Sequence, residues 1–216
     1  MRTREPRLRS GLLGEHLGHS YSPQIHALLG DYEYKLYEKS PDEVEDFIKN
    51  GRWDGINVTI PYKMVAASLC DELSDTACKL GSANTLVRRN GKIYGYNTDY
   101  YGFMSMVERS GIDVSGKKAI VLGSGGASVT ICAVLEAMGA EVTVISRSGE
   151  NNYSNISKHA DAEIIVNTTP VGMYPNNGKA AVDLDDFPSC KGVLDIVYNP
   201  LRTKIILQAE EKGIPH

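Results

Sequence analysis

Apolar and polar positions along this chain fall into short blocks whose period switches between two and about 3.6, the pattern of strands alternating with helices. Gly11 to Glu15 and Tyr34 to Lys39 read as strands, and between them Pro23 to Leu29 reads as a short helix stopped by Gly30. Ser40-Pro41-Asp42-Glu43 offers an N-cap, a proline at the first helical position and a glutamate at the third, so a helix is expected from there to about Gly51. Gly55 to Ile60 reads as a strand, Tyr62 to Glu72 as a helix, and Asn84 to Asn97 as a hairpin turning at Asn90-Gly91. A helix over Asp99 to Ser110 leads to Gly111 and a linker. Lys117 to Leu122 is then a short buried strand, Ala127 to Met138 an apolar helix ended by Gly139, and Glu141 to Ser146 a further strand. A last helix runs from Thr203 to Lys212, Gly213 stops it, and Ile214-Pro215 starts an extended segment. No repeat or low-complexity segment interrupts the pattern.

One connection carries chemistry of its own. Gly123-Ser124-Gly125-Gly126-Ala127-Ser128 stands directly between a buried strand and a helix, and a second strand follows at βαβ spacing. Glycines there let the backbone turn tightly and approach a pyrophosphate at the positive end of the helix, so this segment is expected to cradle a dinucleotide. Ser128 replaces the third glycine of the usual fingerprint and is small enough for close helix packing. After the second strand, where an NAD enzyme places an acid, the chain has Ser146-Arg147-Ser148. An arginine between two hydroxyls suits a 2′-phosphate and favours NADP, while Glu150 keeps NAD open.

Composition changes this picture little. The 216 residues, 42% hydrophobic and 23% charged, suit two small globular cores. A formal net charge of -4 offers no field for gripping nucleic acid, so the arginines within Met1 to Arg9 read as a loose basic tail over residues 1–10. Gly11, Gly14 and Glu15 break the apolar stretch that follows before it could serve as a signal peptide or membrane span, and a cytoplasmic protein is expected. Cys70, Cys78, Cys132 and Cys190 have neither CxxC pairing nor metal-ligand spacing, which predicts no disulfide and no metal.

Open α/β sheets bind ligands beyond the carboxyl ends of their strands, so the chemistry is expected in the cleft between the two halves. Polar clusters stand at such ends. His19-Ser20-Tyr21-Ser22-Pro23 puts two hydroxyls before a helix, where they could hold a carboxylate or, for Ser22, serve only as the N-cap. Asn57-Val58-Thr59-Ile60-Pro61-Tyr62-Lys63 ends with a cation at a helix start, which the helix dipole disfavours and which therefore points to a function. Asn84-Thr85 opens the hairpin, and Asn97-Thr98-Asp99 closes it.

In order along the chain, Gly-His-Ser-Tyr-Ser-Pro (18 to 23), Asn-Val-Thr-Ile-Pro-Tyr-Lys (57 to 63), Gly-Ser-Ala-Asn-Thr-Leu (81 to 86) and Gly-Tyr-Asn-Thr-Asp (95 to 99) precede the glycine-rich turn. Asn-Thr-Thr-Pro-Val-Gly-Met (167 to 173) and Asp-Ile-Val-Tyr-Asn-Pro (195 to 200) follow it. This ordered set resembles the shikimate dehydrogenase family over nearly the whole chain from Gly11. The resemblance implies an α/β protein with an N-terminal α/β substrate domain over 1–98 and a Rossmann-like NADP-binding domain over 99–216. The helix over Asp99 to Ser110 would be a linker helix, with the junction in the segment before Lys117.

By the same resemblance the activity is reversible NADPH-dependent reduction of 3-dehydroshikimate to shikimate, on the route to chorismate and the aromatic amino acids. Lys63 and Asp99 would be the catalytic pair, Ser20 and Ser22 would bind the substrate carboxylate, and Thr59, Asn84, Asp99 and Tyr198 would hold the rest of the substrate. Gly123, Ser124, Gly125, Gly126, Ala127 and Ser128 would take the cofactor phosphates, Ser146, Arg147 and Ser148 the 2′-phosphate, and Thr168 and Ile196 the nicotinamide ribose. The partner is a small molecule rather than nucleic acid or membrane, and the oligomeric state stays open, a homodimer included. Three departures from the family pattern stand out. Ser82-Ala83 replaces a small apolar pair, and Ser146-Arg147-Ser148 replaces the commoner Asn-Arg-Thr. Family members also continue beyond the position of His216 with helices that supply a substrate-binding glutamine, so this chain is expected to be C-terminally incomplete. A quinate/shikimate dehydrogenase using NAD, or a non-catalytic NADP-binding module, are the alternatives.

Overall fold

The computed structural model describes residues 8–18 and 20–216. His19 and most of the expected tail, residues 1–7, lie outside the described residues. The first strand, β1 (Arg9–Gly14), begins earlier than its apolar run suggested, so Arg9 and Ser10 belong to the sheet and not to a tail. The Arg9 side chain donates twice to the Asp54 carboxylate, at 3.1 and 2.9 Å, and the buried Ser10 hydroxyl donates to Glu33 O at 2.8 Å.

The chain divides into two compact units, the second beginning at Asp99. The first contains β1, α1 (Ser22–Leu29), β2 (Glu33–Glu38), α2 (Val44–Asn50), β3 (Gly55–Val58), α3 (Lys63–Ser68), β4 (Glu72–Leu73), α4 (Asp75–Leu80), β5 (Thr85–Arg89) and β6 (Lys92–Tyr96). Its strands form one sheet in the order β2-β1-β3-β5-β6-β4. β1 pairs in parallel with β2 and β3, whereas β5 runs antiparallel to both β3 and β6. The hairpin turns at Asn90 and Gly91, both with positive φ, as the Asn-Gly pair requires. Leu13, Ile48, Trp53, Ile56, Val58, Leu86 and Ile93 form the core, where each fully buried aliphatic chain contributes about 1.5–3 kcal/mol.

Two readings of this unit need correction. The helix from Tyr62 ends at Ser68, not Glu72, because Asp71 turns back to β6: its amide donates to Ile93 O and its carboxylate accepts from the Ile93 amide at 2.7 Å. The short β4 and the helix α4 follow, the latter capped by the Ser74 hydroxyl, which accepts from Ala77 N at 3.3 Å, and closed by Gly81 at φ 59°. At Ser40 half of the expected box is present. Glu43 accepts from the Ser40 amide and hydroxyl, but regular helix starts only at Val44.

The second unit contains α5 (Asp99–Ser110), β7 (Lys118–Leu122), α6 (Gly126–Ala137), β8 (Glu141–Ile145), β9 (Ile164–Asn167), β10 (Gly192–Asp195) and α7 (Lys204–Glu211). The sequence reading did not assign β9 and β10. All four strands are parallel, in the order β10-β9-β7-β8. Successive residues of β7 serve opposite faces: Ala119 and Val121 pack with Phe103, Val107, Ile131 and Val134, while Ile120 and Leu122 pack with Ile205, Ala209 and Phe187. A sheet covered on both sides needs continuous apolar strands, and β9 is buried at every residue. The helix α5 packs with α6 in this unit, so the junction precedes α5 and does not lie in the linker before Lys117.

Candidate functional site

In the first unit the predicted residues gather along the rim formed by the ends of β1 and β3 and the start of β5. Gly14 ends β1 with no room to spare, since a Cβ there would lie 2.7 Å from Thr59 Cγ2 and from Leu17 Cδ2. The Thr59 amide donates to Leu13 O at 2.9 Å, which fixes Thr59 against β1. Lys63 opens α3, the preceding Tyr62 being anchored by its hydroxyl, which donates to Lys39 O at 2.6 Å. The Lys63 carbonyl accepts from Ala83 N at 2.9 Å, tying the start of that helix to the entrance of the hairpin.

Ser20 and Ser22 precede and open α1, the Ser20 hydroxyl donating to Ser22 Oγ at 3.1 Å and accepting from the Ser22 amide at 3.2 Å. Asn84 is buried, its amide donates to Tyr96 O, and its carbonyl accepts from Val58 N. Its side chain is oriented by neighbours: Oδ1 accepts from Thr98 N at 2.8 Å and from Thr85 Oγ1 at 3.2 Å, while Nδ2 donates to Thr98 Oγ1 at 2.9 Å. Two rim residues, Asn57 and Tyr34, were given no role in the sequence. Asn57 donates to Thr85 Oγ1 at 3.3 Å and accepts from the Tyr34 hydroxyl at 2.8 Å. The signal for Asn57 was present, a carboxamide inside an otherwise buried strand. Asp99 begins α5, directly after Asn97 and Thr98.

In the second unit the order of strands reverses between β7 and β9, the kind of switch point where such sheets bind ligands. Gly123 leaves β7 with φ 106° and packs against Thr168, which leaves β9 and donates its hydroxyl to Leu122 O at 2.7 Å. Gly125 and Gly126 are different. Neither has a positive φ, and a Cβ on either would meet nothing within 4 Å. Nothing in the fold demands glycine there, which is the expectation for a cradle whose space a ligand fills. Gly125 caps α6 without any side-chain bond to the helix start. Ser124 and Gly125 are exposed and Ala127 partly so.

Ser128 is the exception among the cradle residues. It is 2% exposed, its amide donates to Gly125 O, and its hydroxyl faces Cys132 Sγ. Its side chain therefore packs within the unit, as a small residue at this position can. Beyond β8, Ser146 is buried while Arg147 and Ser148 are exposed. The loop closes on itself: Ser146 N donates to Asn151 O at 3.1 Å, Asn152 Nδ2 to Gly149 O at 3.1 Å, and Asn155 Nδ2 to Glu150 O at 2.8 Å. Burial pushes the Tyr153 hydroxyl up, and the nearby Arg147 charge opposes that shift.

Ile196 donates its amide to Asn167 O, and Tyr198 is 64% exposed. Their loop hangs from Asp195, another residue the sequence reading passed over. Its carboxylate accepts from Asn167 Nδ2 at 3.0 Å, Val197 N at 2.9 Å and Thr203 Oγ1 at 2.6 Å. Burial raises its pKa from the ordinary carboxylate value, and these donors oppose that shift. A groove of about 550 Å³ lined by Arg109, Asp195, Tyr198 and Leu201 lies beside this loop, and none of the cradle residues lines it.

Among the described residues no group of three or more His, Cys, Asp or Glu side chains could hold a metal ion, and no helix is long and apolar enough to cross a membrane. The four cysteines are free thiols.

Comparison with known proteins converges on one family. Residues 12–86 match the family model described as shikimate dehydrogenase substrate binding domain. The shikimate dehydrogenase (NADP(+)) of Clostridium perfringens is 38% identical over 94% of this chain and 83% of its own length. Shikimate dehydrogenase 1 of Peptoclostridium difficile superposes with a TM-score of 0.85 at 35% identity, covering 95% of this chain and 83% of its own. The Thermus thermophilus enzyme, solved in complex with NADP(H) and shikimate, gives 0.85 at 29% identity over 96% of this chain and 85% of its own.

Proposed function

The chain belongs to the shikimate dehydrogenase family, and on that premise we propose that it catalyses the reversible, NADPH-dependent reduction of 3-dehydroshikimate to shikimate. It is an oxidoreductase acting on a CH–OH group, serving aromatic amino acid biosynthesis on a small-molecule substrate in the cytoplasm. The observation that carries this reading is the pair Gly125 and Gly126 at the switch point, glycines that neither backbone conformation nor packing requires. The first unit is the substrate domain and the second the dinucleotide domain.

When bound, the nicotinamide ring supplies the hydride. The chain's own residues then manage charge and protons. Reducing a ketone places negative charge on its oxygen, and the Lys63 ammonium stabilises that charge and passes it a proton, which completes the alcohol. Asp99 orients the lysine and accepts from substrate hydroxyls. Ser20 and Ser22 donate to the carboxylate, and Thr59, Asn84 and Tyr198 hold the ring substituents. The amides of the Gly123 to Ala127 turn face the pyrophosphate at the positive end of α6. Arg147, between Ser146 and Ser148, reads the 2′-phosphate, and Thr168 and Ile196 flank the nicotinamide ribose.

The test follows reduced nicotinamide by its absorbance while the purified chain is given shikimate or quinate with NADP or NAD. Turnover is expected fastest with shikimate and NADP. Faster turnover of quinate with NAD, or cofactor binding without any turnover, would replace this reading.

A further inference from the structure

Tyr34 has no place in the proposed chemistry, yet it bonds to the polar row on the rim of the first unit. It stands on β2, outside the segments that carry the substrate ligands. Its ring lies flat against His26 of α1, with centroids 3.7 Å apart and planes at 14°. His26 is held in turn by the Tyr32 hydroxyl, 2.6 Å from Nδ1. The Tyr34 hydroxyl donates to Asn57 Oδ1 at 2.8 Å.

We infer that Tyr34 is a positioning residue for substrate binding, its hydroxyl fixing the Asn57 carboxamide so that Thr85 and Asn84 are ordered before the substrate arrives. This rests on the reading that the rim receives shikimate, Asn84 holding one of its ring substituents.

Along the row Tyr34 donates to Asn57, Asn57 to Thr85, Thr85 to Asn84, and Asn84 to Thr98, whose amide and hydroxyl donate back to Asn84 Oδ1. A carboxamide can be turned over at no cost unless its oxygen is claimed by a donor. Tyr34 claims Asn57 Oδ1, which aims Nδ2 at Thr85. The Thr85 hydroxyl is thereby turned to Asn84 Oδ1, where the Thr98 amide already donates, and Asn84 Nδ2 is left pointing to the Thr98 hydroxyl. Hydrogen bonds in such a row polarise one another, and groups held in place before the ligand arrives lose less freedom on binding. Burial pushes the Tyr34 hydroxyl up to about 12, so it stays a donor throughout the neutral range.

Tyr34→Phe removes one oxygen and keeps the ring on His26. In steady-state assays of the full chain, KM for shikimate is expected to rise about 3- to 10-fold, the scale of one hydrogen bond, with kcat within about twofold of the parent. The NADPH dissociation constant and the melting temperature should stay near those of the parent, which a merely structural role would not leave so. Asn57→Leu should raise KM much less in the Tyr34→Phe background than alone, because the two changes break the same bond. An unchanged KM in Tyr34→Phe, or effects of the two substitutions that multiply, overturns the proposal. Should Tyr34→Phe fail to fold, Asn57→Leu interrupts the same row, and an unchanged KM there overturns it equally. If the parent chain does not turn over shikimate at all, the functional reading fails on the parent alone and the proposal falls with it.

Discussion

Gly123 and Thr168 touch where the second sheet reverses its order. A Cβ at Gly123 would lie 2.9 Å from the Thr168 hydroxyl and 3.0 Å from Thr169 Cγ2, and φ there is 106°. Gly125, two residues on, has φ -78° and open space where its Cβ would be. The two glycines therefore answer to different demands. Gly123→Ala is expected to lower unfolding stability by about 1–3 kcal/mol, the cost of forcing a side chain into such a conformation. Gly125→Ala should leave stability within about 1 kcal/mol of the parent and weaken NADPH binding at least tenfold. Denaturant titration with calorimetry separates them, and an unweakened cofactor affinity in Gly125→Ala would remove the main support for the cradle.

Lys63 carries the proposed proton and charge chemistry. Lys63→Ala should reduce kcat by roughly 10²- to 10⁴-fold and leave NADPH affinity nearly unchanged. Asp99→Asn acts on the same step, so the double variant should lose much less than the product of the two single losses. Retained turnover in Lys63→Ala would assign the proton to another group.

Arg147→Ala should weaken NADPH binding by about 1.5–3 kcal/mol, the range of a hydrogen bond to a charged group, and leave NADH binding nearly unaffected. Equal losses for the two cofactors would show that Arg147 does not read the 2′-phosphate.

The Ser40 turn has a pH signature. The Ser40 amide, the Lys39 ammonium and the Ser40 hydroxyl hold the Glu43 carboxyl at about 2, below its ordinary 4.5. A carboxylate depressed in the folded state stabilises fully above its unfolded value, and that contribution is lost as pH falls from 4.5 towards 2. The melting-temperature advantage of the parent over Glu43→Gln should therefore shrink across that window and stay flat above it. An advantage that does not change with pH would mean that the charge of Glu43 contributes nothing.

The elements that were legible in the sequence carry local, self-contained signals: Asn90-Gly91 for the hairpin turn, Gly139 and Gly213 for helix ends, and the glycine-rich turn between β7 and α6. Elements fixed by distant partners were harder to read. The helix after Lys63 stops where Asp71 finds Ile93, a bond between positions far apart in sequence. The strands β9 and β10 are short apolar runs without alternation, since both faces of their sheet are covered, and period alone does not separate such runs from helix. The rim residues were found where a family pattern named them, as with Thr59 and Asn84. Asn57 and Asp195 stood inside motifs without a role of their own, and Tyr34 was read only as part of a strand, because their importance lies in what they hold and a one-dimensional pattern does not display partners. The inward turn of Ser128 towards Cys132 was not legible either, because it depends on how the helix seats against the sheet.

The loop that begins at Ser146 is braced by asparagine side chains bonded to its own main chain, while Arg147 and Ser148 stand outside that brace. The frame and the exposed positions are thus separable. If Arg147 reads the 2′-phosphate as proposed, substitutions at these two positions alter which dinucleotide is preferred and leave the asparagine bonds beneath in place.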